Sequence, residues 1–220
     1  MKYTLLLALI LLINLSLYGQ SKWTFGVIAG PNITATIPFT NQPKYKQTPQ
    51  LGGEFGVNVY KKLTKSLYFQ SGLTIAHRRL KEEYDSSRFI VNEKESYYFT
   101  EYHQVKNTDL NLPLCLNFRF RLNDKLSISS IAGVTLGWHL KEIRKITSQY
   151  INNNNINSYN SKGIDMVYVT LGLGVLYKID DKFSLMIVPN FMADAKSEGF
   201  YSTPASFDLR ATLLYTFTKK

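Results

Sequence analysis

Three histidines, His77, His103 and His139, are the first residues to weigh as chemistry. A metal site needs such side chains at ligand spacing, and the chain has no H-x-x-x-H or Cys/His cluster. A catalytic base needs a nucleophile and an acid at the same rim. Ser71 and Asp194 offer the right types, but their spacing gives no sign of convergence. A glycine-rich phosphate loop, a paired-carboxylate motif and C-x-x-C are also missing from the sequence. No catalytic, cofactor-binding or metal-binding residue is expected, and the chain reads as a non-enzyme. Its single cysteine, Cys115, cannot form an internal disulfide and is expected to be a small buried side chain.

The net charge of +10 raises nucleic-acid binding, but the basic residues are scattered. Lys61, Lys62 and Lys65 share one turn, Lys219 and Lys220 end the sequence, and Arg78, Arg79 and Lys81 stand beside Glu82 and Glu83. Solvated turns and loops account for them, with attraction to anionic head groups as a milder alternative. Another set of charges falls on strand faces otherwise made of Gly, Ser, Thr and Asn. These are Glu54, Arg119, Arg121, Lys178, Asp208 and Arg210, with Asp194 on a similar face. Charges in a narrow interior must pair, so this set is expected to form a structural lumen network. A selectivity or gating element is the sharper alternative.

The elements that carry these residues are strands. The sequence starts with one Lys, an apolar run from Leu5 to Ile13 and a small residue at Gly19. That is the layout of a secretory signal peptide over residues 1–19, with a barrel domain over 20–220. From there, runs of about ten residues alternate apolar with polar or small side chains. They cover Trp23 to Ile33, Gln50 to Tyr60, Leu67 to His77, Leu110 to Leu122, Leu126 to Leu140, Val167 to Lys178, Phe183 to Asp194 and Phe207 to Phe217. The polar rows suit the cramped interior of a small barrel, and the nearly uncharged apolar rows suit lipid.

Connections alternate in length. Short turns fall at Lys61 to Ser66, Asn123 to Lys125 and Asp180 to Lys182, and long connections at Thr34 to Pro49, Arg78 to Thr108, Lys141 to Asp165 and Ala195 to Ser206. Short periplasmic turns and long external loops follow this rule in outer-membrane barrels. Trp23, Phe25, Phe69, Phe118, Phe120, Tyr177, Phe183, Tyr215 and Phe217 lie on apolar rows near the short-turn end, with Trp138, Phe191 and Phe207 near the long-loop end. Such aromatics mark the two lipid interfaces. An open sheet edge cannot sit in lipid, so the first strand must pair with the eighth. The expected fold is all-β, a closed antiparallel up-and-down transmembrane β-barrel of eight strands. Its lumen is too narrow for large solutes.

The sequence resembles the PorT-like outer-membrane β-barrel family of Bacteroidetes. The resemblance is carried by WTFGVIAGPNIT, LGGEFGVNVYKKLTKSLYFQSGLTI, TDLNLPLCLNFRF and the closing DLRATLLYTF. The final strand also looks like the signal read by the barrel-insertion machinery, except that Thr218, Lys219 and Lys220 follow Phe217. The resemblance implies a multi-pass outer-membrane location and a role accessory to protein secretion, transport or envelope integrity. Expected partners are outer-membrane lipid, the insertion machinery, and a protein met through external loops or periplasmic turns. SYYFTEY in the long loop suggests strands continuing beyond the membrane, whereas NNNNINSYNS reads as a polar tract without an apolar face. Two alternatives stand beside this reading: an outer-leaflet barrel enzyme, and a soluble periplasmic barrel binding an apolar ligand. The last requires Leu112, Leu114 and Leu116 to point inward.

Overall fold

A strand with one apolar and one small or polar face must bury one of them, and eight such strands can do so by closing on themselves. In the computed structural model, residues 23–38, 45–89, 96–147, 152–157, 164, 166–195 and 202–217 are described. The signal-peptide reading of residues 1–19 lies outside them. The described residues form nine strands: β1 (Trp23–Pro38), β2 (Tyr45–Lys62), β3 (Leu67–Phe89), β4 (Ser96–Arg121), β5 (Leu126–Thr147), β6 (Asn152–Asn157), β7 (Met166–Lys178), β8 (Phe183–Asp194) and β9 (Ser202–Thr216). Eight of them make the ring β1-β2-β3-β4-β5-β7-β8-β9, every pair antiparallel. Pairing of Thr24 with Thr216 and Phe25 with Tyr215 joins the last strand to the first.

The short turns are tight because their side chains accept backbone N–H groups. Asn123 Oδ1 takes the N–H groups of Lys125 and Leu126 at 2.9 and 2.8 Å. Asp180 Oδ1 takes those of Lys182 and Phe183, both at 2.7 Å. The two bonds stabilise the Asp180 carboxylate and hold its pKa below the ordinary aspartate value.

The apolar rows point outward. Val27 is 63 % exposed, Leu51 64 % and Leu173 62 %, while Leu114 and Leu116 on β4 are 39 % and 41 % exposed. So continuous an apolar belt has no place on a water-soluble surface. The soluble barrel with an apolar interior is therefore excluded.

Strand lengths depart from expectation at the long-loop end. A membrane crossing takes about 9–11 residues, but β3 has 23, β4 26 and β5 22. The stretch expected as a loop from Arg78 to Thr108 is mostly a paired ladder, in register from His77 opposite Thr108 to Phe89 opposite Ser96. The Asn tract also differs, since Asn152–Asn157 pairs with Glu142–Thr147 as β6. Backbone hydrogen bonds to β5 supply what the missing apolar face does not. Above the ring, the Tyr45–Gln50 part of β2 together with β3, β4, β5 and β6 continues as one sheet, after β1 has left β2 beyond Ile33 and β7 has left β5 beyond Gly137.

Candidate functional site

The inward rows fill the lumen in three tiers. Nearest the short turns, Tyr60, Cys115, Ile131, Met186, Val188 and Leu214 form a buried apolar plug, with Tyr68 and Leu176 packed against it. The polar rows thus enclose an apolar girdle, and Cys115 is buried within it. Large and small side chains alternate across neighbouring strands. Asn32 faces Gly52, Asn58 faces Gly72, Asn111 faces Gly137, Asn190 faces Gly172 and Cys115 faces Gly133. A small barrel can be filled only if bulky inward residues meet space on the next strand.

The middle tier is ionic. Arg210 forks onto Glu54, its Nε donating to Oε1 and its Nη2 to Oε2 at 3.1 Å. The same Nη2 reaches Asp208 Oδ2 at 3.2 Å. Ser206 Oγ donates to the other Asp208 oxygen at 2.6 Å. Glu54, Asp208 and Arg210 are 4 %, 1 % and 5 % exposed, so these charges have left water and depend on one another. Glu54 is on β2 and Arg210 on β9, with β1 between them. Gly30 stands opposite Glu54 at the crossing, and a Cβ there would lie 2.0 Å from the Leu209 carbonyl oxygen. The absent side chain lets the β9 backbone at Leu209 and Arg210 close onto β1.

The upper tier joins Arg78, Asp109, His139 and Tyr168. Arg78 Nη1 donates to Asp109 Oδ2, and His139 Nδ1 lies 2.6 Å from Asp109 Oδ1. The Arg78 guanidinium carbon sits 5.2 Å from the centre of the Tyr168 ring, which packs with Met166 and Met192. Leu140 is an extra residue in β5, since Thr108 faces Lys141 while Asp109 faces His139. His77 meets Thr108 at 3.0 Å, and His103 Nε2 meets Glu101 Oε2 at 3.1 Å.

Of the six charges expected in one lumen network, Glu54, Asp208 and Arg210 meet. Arg119 is inward but apart, its guanidinium carbon 4.0 Å from the centre of the Tyr68 ring and 5.1 Å from that of Tyr60. Arg121 and Lys178, expected in the same network, do not join it. Both are exposed at the short-turn mouth, Arg121 paired with Asp124 and Lys178 with Asp181 at 2.6 Å. The strands end there and their last inward positions open to water. With Lys62, Lys65, Lys125 and Arg119 they line a cavity of about 520 Å³. Asp194, placed with this set from the sequence, accepts the Val167 N–H at 3.3 Å.

Arg78 and Asp109 were not expected in the lumen, yet their parity carries the signal. Arg78 continues the inward row Gln70, Thr74 and Ala76, and Asp109 continues Asn111 and Cys115; all are buried. Of the aromatics expected at the interfaces, Phe25, Phe69, Phe118, Phe120, Tyr177, Phe183 and Phe217 are exposed, while Trp23, Trp138 and Tyr215 are half-buried. Phe25, Phe217, Tyr215 and Phe183 form a chain with ring centres 5.4, 4.9 and 5.2 Å apart.

A closed eight-stranded ring with an apolar exterior, a filled interior and short turns at one end defines a small transmembrane β-barrel of the outer membrane. The family model for the outer membrane protein beta-barrel domain matches residues 18–192. The chain belongs to that family. Among solved structures, the outer membrane protein OprG of Pseudomonas aeruginosa is similar at a TM-score of 0.51 and 9 % identity, covering 91 % of this chain and 99 % of that one. Neisserial surface protein A is similar at a TM-score of 0.43 and 10 % identity, covering 88 % and 97 %. No curated protein sequence matches the chain.

Proposed function

We propose that this outer-membrane barrel is a non-enzymatic scaffold whose external sheet docks a protein of the secretion or envelope apparatus, in keeping with its PorT-like sequence features. The observation that carries the reading is a contrast in construction. The lumen is closed by an apolar plug and two ionic tiers, while the wall from β2 to β6 continues beyond the ring as an ordered sheet. Transport through a filled eight-stranded lumen is physically disfavoured. The work then falls to the protruding sheet. Among the described residues, β6 pairs only with β5, and the Tyr45–Gln50 part of β2 pairs only with β3. Such edges offer backbone donors and acceptors to an added strand.

A photoreactive amino acid at exposed Lys46 or Thr48, on the free edge of β2, irradiated in intact cells, tests this reading. A discrete adduct identified by mass spectrometry as a secretion or envelope protein is expected at one position or both. Correctly folded barrels without an adduct at either position would overturn it, as would wide-channel conductance in planar bilayers.

One observation favours the barrel-enzyme reading. His139 is oriented by a carboxylate, the first requirement of a general base. Its Asp109 partner is already neutralised by Arg78, which weakens its pull on the imidazole. Turnover of a lipid or peptide ester that His139→Ala abolishes would establish the enzyme and displace the scaffold reading.

A further inference from the structure

Outward-pointing cations gather on one side of the barrel, immediately beyond the apolar belt at the long-loop end. Strand register defines the patch. Arg79 on β3 faces Lys106 on β4, which faces Ile143 on β5. One pleat further out, Lys81 faces Gln104, which faces Lys145. One pleat nearer the belt, His77 faces Thr108, which faces Lys141. Arg79, Lys81, Lys106, Lys141 and Lys145 are all exposed. Neighbouring strands are about 4.8 Å apart and alternate residues about 6.8 Å apart along a strand. The five cations therefore occupy a patch about 10 Å across and about 14 Å along the wall.

Three features show that this is more than a solvated face. Arg79 and Lys106 are direct cross-strand neighbours on one face, an arrangement that costs stability unless an anion offsets it. The first carboxylate on that face, Glu83, stands one pleat beyond Lys81, at its outer edge opposite Lys46. The patch is also one-sided. At the same end, the outward positions of β1, β7, β8 and β9 carry Ile33, Ala35, Val167, Val169, Phe191, Ala193 and Phe207. Toward the membrane, the patch runs straight into Ile75, Leu110, Trp138 and Leu140 on the same strands. Its cations therefore lie at head-group depth, beside the acyl chains that the belt meets.

We infer that the outward face of β3, β4 and β5 at the long-loop end is a binding site for the phosphate groups of an outer-leaflet glycolipid. Arg79 and Lys106 hold one phosphate, and Lys81 and Lys145 flank it. Leu110 and Trp138 below pack on the acyl chains. Lipid held there fixes the barrel's rotation in the membrane and steadies the base of the protruding sheet.

The test uses the full chain folded in phosphatidylcholine vesicles containing either diphosphoryl lipid A or its dephosphorylated form. The readout is lipid retained per barrel after detergent extraction, counted by native mass spectrometry. Wild type should retain the phosphorylated lipid and not the dephosphorylated one. R79Q/K81Q/K106Q/K145Q should lower retention at least about tenfold. K62Q/K65Q/K125Q/K182Q, which removes equal charge at the opposite end, should leave it unchanged. The double variant R79Q/K106Q removes a like-charge pair, so it should fold at least as well as wild type and still lose most of the bound lipid. Equal retention in wild type and the patch variants overturns the inference, as does equal loss in the opposite-end variant. Competition by free inorganic phosphate at the lipid's own concentration would also overturn it, because the site would then be for the ion and not for the lipid.

Discussion

Arg210→Met probes how the lumen is held together. Arg210 is the cation shared by Glu54 and Asp208, and all three side chains are buried. Its removal leaves two carboxylates out of water without a partner, a loss of about 3–5 kcal/mol. Methionine keeps much of the length and meets the Met192 sulfur, which is 3.6 Å from Nη2 in the native protein, so the loss is electrostatic and not a cavity effect. The assay is urea unfolding in lipid vesicles, followed by fluorescence of the two tryptophans, Trp23 and Trp138, and by heat-modifiable gel mobility. E54Q/D208N/R210M, with the same volume and no charges, should recover more than half of the loss, since isosteric neutral replacement of a buried ionic cluster is nearly free. Arg119→Met is the contrast. That guanidinium is held by tyrosine faces and should cost about 0.5–2 kcal/mol. An R210M barrel as stable as wild type, or a triple variant no better than R210M, would refute the claim that these charges are desolvated and interdependent.

Leu114→Arg, on the lipid-facing row of β4, should cost about 2–4 kcal/mol in lipid if the position lies near the midplane. The same assay decides it, and no loss would mean that this face does not meet lipid. Gly30→Ala should destabilise by about 1–3 kcal/mol or more, because its Cβ overlaps the Leu209 carbonyl at the β1–β9 closure. Folding yield and hydrogen exchange across that pair report it. Asp180→Ala should remove a pH dependence from the β7–β8 turn. The native carboxyl has a lowered pKa, so its contribution is present above the ordinary aspartate range and is lost as pH falls through the lowered value. Exchange protection of the Lys182 and Phe183 amides should fall in acid for wild type and be low throughout for the variant.

The wall of the barrel is written in local alternation. Leu112, Leu114 and Leu116 alternating with Cys115 and Asn117 could belong only to a strand with two unlike faces, and that pattern is local, with a period of two residues. Turn positions were legible for the same reason, since Asn123 and Asp180 satisfy backbone groups within three residues of themselves. Parity also placed Glu54, Arg119, Asp208 and Arg210 inside. It could not say which of them meet. Partners across a barrel depend on strand tilt and stagger, which no single strand encodes. Arg210 finds Glu54 across β1, while Arg119, with the same inward parity, ends up between tyrosines. Arg121 and Lys178 share that parity too, but only the height of the barrel decides that they have passed its rim and pair within their own turns. The protruding sheet was legible only in part, in the alternation of SYYFTEY. Residues 78–89 and 152–157 lack an apolar face, and they become strands through hydrogen bonding to neighbours that the ring has already set in register.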